Sequence, residues 1–424
     1  MAEAAKRQKT EDGGTKSAAA TAAYLKMEEA IDAGAATLEP KRVVNSKSNE
    51  TVDPFPQLQF RALDAFPTGE DLDAWRPSGQ PAAQTLRLGL IYDKDAFAAI
   101  LGLGKLESLR VDEAQTVPGG SVQIVWRREA PRATVANWTA LARESLENRE
   151  AGGLDALICV GGGTCVDAAK WVAAKLKVHF VCIPSAITVD AFFTGWSGCR
   201  VDGCVKYERT KPPDCVCLDL ALLGAAPPRV RAAGLCDVLS IATGLSDWVL
   251  AENAGRCTPE HKFDPAAAAM ARGILQSSIS CAASAGRGEP EGLRRLIDAL
   301  CWEVTLCNQL GHSRPEEGSE HFLCYALEAH AEAGRSYTHA EYIGVSLLVM
   351  GTLQGIDVAP LREAYRAAGA HPPAPLPLAA RLTSARRAQG CRTRSSARRR
   401  CARLSTTCRS TAPSTGCGTP SPTR

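Results

Sequence analysis

The sequence predicts an α/β domain built on a parallel sheet, followed by an all-helical domain. Three observations carry this. Before residue 225, short apolar runs alternate with Ala- and Leu-rich helical stretches, the pattern of parallel strands joined by crossover helices. After it, only helical periodicity recurs. Pro227-Pro228 stands at the change, where a fixed φ suits the first turn of a helix.

The elements follow in order. Residues 1–60 are rich in Ala, Lys and Glu, and read as a poorly ordered extension with one helical stretch near 19–33. The α/β domain, 61–225, carries strand patterns at 86–92, 122–126, 156–160, 179–183 and 215–218, with helices at 137–150 and 165–176. Residues 196–208 read as a strand pair covering a cleft. The helical domain, 226–370, shows helical periodicity over 229–254, 265–283, 292–310, 316–333 and 341–354. Residues 371–424 are rich in Arg, Ser, Thr and Pro and offer four Leu to bury, too little to offset the entropy of ordering, so a disordered tail is expected.

At 424 residues the chain has room for two or three domains, at about 150 residues each. The net charge of +3 conceals a division: residues 371–424 hold eleven Arg and no acid, which leaves −8 on residues 1–370. Basic charge confined to a tail argues against a nucleic-acid partner. Seventeen cysteines, an odd number with no CxxC pair, many of them within apolar runs, indicate free thiols in a reducing compartment. No run approaches the ~20 apolar residues of a membrane span, and the first fifty residues lack an apolar segment, so a cytoplasmic protein is expected.

Gly161-Gly-Gly-Thr164 joins a strand to a helix, a turn that can cradle phosphate or serve simply as a tight connection. Ser185, Thr188, Asp190 and Thr194 follow the next strand and share its carboxyl-end crevice, where they can also be capping groups and a solvated acid. Asp237 sits among apolar neighbours in a helix, and His321, Tyr325 and Glu328 share a helical face. With His339 at the start of another helix, one Asp and two His from three helices can hold a divalent metal and leave a position open. Taken singly, each histidine reads as a satisfied core or surface group.

Together, Gly161-Gly-Gly with Asp167 and Lys170, Pro184-Ser-Ala-Ile-Thr-Val-Asp190, Ala232-Ala-Gly-Leu-Cys-Asp237, Ser313-Arg-Pro-Glu-Glu-Gly-Ser-Glu-His321 and His339-Ala-Glu341 resemble the iron-containing alcohol dehydrogenase and glycerol dehydrogenase superfamily, nearest its sn-glycerol-1-phosphate dehydrogenase-like branch. The resemblance spans about residues 86–356 and implies a dehydroquinate synthase-like fold, with a Rossmann-like nucleotide-binding domain and a helical metal domain. It implies Asp237, His321 and His339 as ligands of zinc or iron. Gly162, Gly163, Thr164 and Asp167 would bind the cofactor pyrophosphate, and Ser185, Thr188 and Thr194 its nicotinamide end. Asp93 would meet the adenosine ribose and favour NAD over NADP. Asp190, Tyr325 and the ligand Asp237 would serve catalysis; Tyr325 stands where the branch has a second histidine.

The implied activity is NAD(P)-linked interconversion of a small polyol or polyol phosphate and its ketone, by a protein for which a homo-oligomer is allowed. A dehydroquinate synthase-like lyase and a non-catalytic relative are the alternatives, with a non-haem iron oxygenase further off. The tail is read as replacing, through a shifted frame or alternative end, the helices with which family members continue.

Overall fold

The computed structural model describes residues 55–150, 153–201, 204–330 and 337–370. All of these lie in one compact unit, Met1–Pro372. The extension expected over 1–60 falls outside the described residues except for 55–60, and the Arg-rich tail falls outside them entirely.

The first half is a seven-stranded sheet formed by β1 (Gln57–Phe60), β2 (Leu86–Tyr92), β3 (Gln115–Val117), β4 (Gly120–Glu129), β5 (Ala156–Gly161), β6 (His179–Pro184) and β9 (Cys215–Leu218). Between β6 and β9 the chain forms a separate hairpin, β7 (Trp196–Val201) and β8 (Cys204–Arg209), as the 196–208 pattern predicts. The strand order is β1-β9-β6-β5-β2-β4-β3, parallel throughout except for β3 against β4. Every residue of β5 and β9 is buried, which is why these strands read as unbroken apolar runs and not as alternations. The five predicted strands are present; β1 and β3, at the two sheet edges, are short and carry no pattern strong enough to announce them.

From β2 the chain crosses to β4 on one side and then returns to β5 on the other. The carboxyl ends of β2 and β5 therefore flank the point where the winding reverses, the place where open α/β sheets bind ligands. Asp93 follows the first strand and Gly162 the second. The helices of this half are α1 (Gly69–Trp75), α2 (Lys94–Gly102), α3 (Val135–Glu150) and α4 (Gly163–Leu176).

The second half is helical: α5 (Leu220–Ala225), α6 (Pro228–Arg231), α7 (Leu235–Leu239), α8 (Ile241–Asn253), α9 (Pro265–Arg287), α10 (Pro290–Leu310), α11 (Ser319–Ala329), α12 (His339–Gln354) and α13 (Ala359–Ala367). Two of its expectations need correction. The periodicity over 229–254 is three helices, because the chain at Gly234 backs onto the loop after β6. Gly234 N donates to Ile187 O at 2.9 Å, and a Cβ on Gly234 would lie 3.2 Å from that oxygen. The break brings Asp237 up to the sheet's ligand edge. The helix expected from Glu316 starts only at Ser319: Glu316 N and Glu317 N both bond Ser313 O in a turn, and Gly318 N is taken by Glu320 Oε1. Glu317 thereby leaves the helix and faces the site.

Candidate metal and cofactor site

Asp237, His321 and His339 come from α7, α11 and α12, and one ligand atom of each lies within 4.8 Å of the others. Two carboxylates orient the imidazoles. Glu320 Oε1 bonds His321 Nδ1 at 2.8 Å, and Glu328 Oε1 bonds His339 Nδ1 at 2.9 Å. Each ring then keeps Nε2 for a ligand, the arrangement by which protein carboxylates fix metal-binding histidines. His339 Nε2 stands 3.6 Å from Asp237 Oδ1, and that oxygen is buried without a hydrogen-bond partner. An orphaned buried carboxylate oxygen between two oriented imidazoles fits a divalent cation. His321 is carried on the same helical face as Tyr325 and Glu328, as expected; Thr338 and Glu341 form a capping box that starts α12 at His339.

The surrounding charge has the same character. Burial, reinforced by Asp237, lifts Asp190 to about 7, and burial with Asp190 and Glu317 lifts Glu316 to about 8. Asp237 is likewise pushed up by burial, against the pull of His339 and His321. Burial alone would lower His321, yet its bond to Glu320 and the charge of Glu317 raise it to about 9. Mutually repelling acids around a bare carboxylate form a field that a bound cation relieves.

The glycine turn lies at the sheet's reversal. A Cβ on Gly161 would meet Cys165 Cβ at 2.6 Å, and one on Gly163 would meet Val189 Cγ2 at 2.6 Å, so packing demands glycine at both. A Cβ on Gly162 would meet only Thr188 Oγ1, at 4.0 Å, which leaves a cradle open above the turn. Gly163 and exposed Thr164 open the 14-residue α4, whose first amides are anion donors. Ser185 N bonds Gly161 O at 3.0 Å and seals the β6 loop against the turn. Asp93 caps α2 through Ala96 N at 2.8 Å, and its Cβ lies 3.2 Å from where a Gly161 Cβ would stand.

Two residues expected at the cofactor are engaged elsewhere. Asp167 pairs with Lys170 Nζ at 2.9 Å and accepts from Gly198 N at 3.1 Å, holding β7 against α4. Thr194 gives its carbonyl to the fully buried Lys170 at 3.2 Å, and its Oγ1 accepts from Trp196 N at 3.4 Å, so it anchors the start of the same hairpin.

That hairpin also reaches the metal triad. Arg200 of β7 bonds Glu328 Oε2 at 2.9 Å, and Tyr207 of β8 bonds the Tyr325 hydroxyl at 3.2 Å. The Tyr325 ring lies 5.9 Å from the His321 ring and 6.3 Å from that of His339. Glu317, Glu320, Arg200 and Tyr207 had no role in the sequence reading. The run of acids beside His321 was the available signal for the first two; the hairpin residues needed the tertiary fold.

Residues 105–227 match the family model described as iron-containing alcohol dehydrogenase. Over those residues the chain is similar to the iron-containing alcohol dehydrogenases. It is 31% identical to the glycerol-1-phosphate dehydrogenase [NAD(P)+] of Methanothrix thermoacetophila over 51% of this chain and 59% of that protein. The enzyme of the same name from Pyrococcus furiosus is 30% identical over 50% of this chain and 60% of its own length. The chain thus spans about three fifths of the length of these relatives. In fold it is similar to a probable glycerol dehydrogenase from Sinorhizobium meliloti, with a TM-score of 0.54, 21% identity and coverage of 76% of this chain and 84% of that one. The glycerol dehydrogenase of Schizosaccharomyces pombe has a TM-score of 0.54 at 18% identity, over 75% and 76%. The expected architecture, a mostly parallel sheet half followed by a helical half, is the one found, and these glycerol dehydrogenases share the fold.

Proposed function

We propose that this chain is a metal-dependent, NAD(P)-linked dehydrogenase that interconverts a small polyol, free or phosphorylated, and its ketone. One observation carries the reading: an Asp237–His321–His339 set, the first two buried and the third half-buried, its imidazoles oriented by Glu320 and Glu328, in the same compact unit as an open glycine cradle at the sheet's reversal. The 31% and 30% identical relatives, both glycerol-1-phosphate dehydrogenases, support the reaction class.

In this reading, Asp237, His321 and His339 would hold a divalent metal, which would supply Lewis acidity, and Gly162, Gly163 and Thr164 would hold NAD(P), which would supply the hydride donor or acceptor. The protein's part is positioning. Glu320 and Glu328 hold the imidazoles by Nδ1, Asp190 and Tyr325 orient substrate hydroxyls, and Thr188 borders the cofactor cradle. Exposed Asp93 disfavours a 2′-phosphate and so selects NAD. Asp167 and Thr194 act indirectly, by fixing the hairpin. Zinc and iron are both compatible with these donors.

We further infer a cytoplasmic setting from the free thiols, such as Cys159, Cys182 and Cys236, all buried. No helix among the described residues is long and apolar enough to cross a membrane.

The test is metal analysis of the purified chain, followed by NAD(H) absorbance with polyols, polyol phosphates and their ketones. A net absorbance change that chelation abolishes and metal restores is expected. Undiminished turnover after metal stripping would overturn the metal role, and turnover with cofactor restored at each cycle would indicate the lyase.

A further inference from the structure

We infer that the face where α8, α11 and α12 meet, built on Leu250, Phe322, Val349 and Leu353, is a contact surface for a second copy of this chain. The inference stands apart from the dehydrogenase reading and uses none of the candidate metal ligands.

The three helices are locked together at Ser319. Its N–H donates to Asp247 Oδ2 at 2.6 Å, and Gln354 Nε2 donates to Ser319 Oγ at 3.2 Å and to Thr243 O at 3.5 Å. Beside these polar bonds each helix turns an apolar side chain to solvent. Leu250 lies one turn after Asp247 on α8 and is 64% exposed, and Phe322 lies one turn after Ser319 on α11 and is 75% exposed. Leu353 adjoins Gln354 on α12 at 61%, with Val349 one turn before it at 39%. From Tyr342 to Gln354 that helix carries no charged residue, the composition of a helix covered on every side, yet Val349, Thr352 and Leu353 are exposed.

Charge and area together name the occupant. The three helices contain no Lys or Arg, and their five acids, Asp247, Glu252, Glu320, Glu328 and Glu341, are each engaged by a partner within this chain. A partner selected by charge therefore finds nothing to pair with here. An uncharged face, by contrast, can meet itself about a two-fold axis without opposing like charges. The four side chains expose on the order of 400 Å², as large as the biggest apolar patch on a typical monomer. Two such faces would bury on the order of 800 Å² of apolar surface, the share that a standard interface of about 1,600 Å², a little over half apolar, requires.

The test is sedimentation velocity of the full chain over a concentration series reaching about 100 µM, comparing the wild type with Leu250→Glu and Leu353→Glu. The wild type should associate, and each variant should raise the dissociation constant at least about tenfold, because a two-fold contact brings the new carboxylate in twice and takes it out of water. Both positions are exposed, so the melting temperature of dilute protein and its metal content should stay at wild-type values. If Leu353→Glu does not fold, Leu250→Glu, on a different helix, carries the test. A wild type that remains monomeric at about 100 µM, or an assembly whose dissociation constant is unchanged in the folded variants, overturns the inference.

Discussion

Asp219 and Asp237 are both buried aspartates, 4% and 7% exposed, and the chain treats them in opposite ways. Asp219 receives Leu63 N, Ala221 N and Leu222 N at 3.0 Å each, and Lys105 Nζ at 2.7 Å. Burial alone would raise its pKa, but these donors, Lys105 foremost, hold it below the usual carboxylate range. Asp237 has a bare Oδ1 and no cation of its own beyond two histidines, and burial pushes it up. A buried carboxylate with its lone pairs filled ties elements together. One left bare beside oriented imidazoles keeps a lone pair open to a ligand, and is held in place by the rest of the fold.

The sharpest way to break this comparison is the same substitution at both positions. Asp237→Asn should reduce metal content from about one per chain to background and abolish NAD(P)-linked turnover, because the ligand set loses its anion. Its metal-free stability should hold or rise. Asp219→Asn should leave metal content alone and cost about 3 kcal/mol in denaturant unfolding, the penalty for breaking a buried pair. Loss of stability at position 237, or of metal at 219, would erase the distinction.

A pH series sharpens it next. The folded pKa of Asp219 lies below its unfolded value, so its contribution is present above about pH 4 and is lost as pH falls through the lowered folded pKa. The acid limb of stability in metal-free protein should therefore flatten in Asp219→Asn, as read from unfolding midpoints at successive pH.

Glu328→Gln should weaken metal about 10–100-fold, measured by competition with a chelator, since it supports His339 from behind. The smallest effects belong to the glycine turn. Gly162→Ala fills open space and should weaken NAD(H) binding by calorimetry without moving the melting temperature. Gly163→Ala meets Val189 at 2.6 Å and should lower the melting temperature itself.

Much of this was legible in the sequence where the determinants are local. The apolar run of 156–160 followed by three glycines specifies a buried strand and a tight turn, and His321, Tyr325 and Glu328 keep helical spacing. What was not legible depends on distant partners. The break at Gly234 exists because Ile187 O lies against it, and the late start of α11 because Ser313 O captures two amides. Asp167 follows the glycine turn in sequence, yet its carboxylate is taken by Lys170 and Gly198. Sequence adjacency to a turn does not say which way a helical side chain is drawn.

The β7–β8 hairpin is fastened at both ends. Asp167 and Lys170 bind it to the helix that begins at the glycine turn, and Arg200 binds it to the carboxylate that steadies His339. It acts as a tie-rod between the sheet half and the helical half. A substitution that frees the hairpin at one anchorage therefore loosens the side chains held at the other, so Asp167 and His339, far apart in sequence, share one mechanical support.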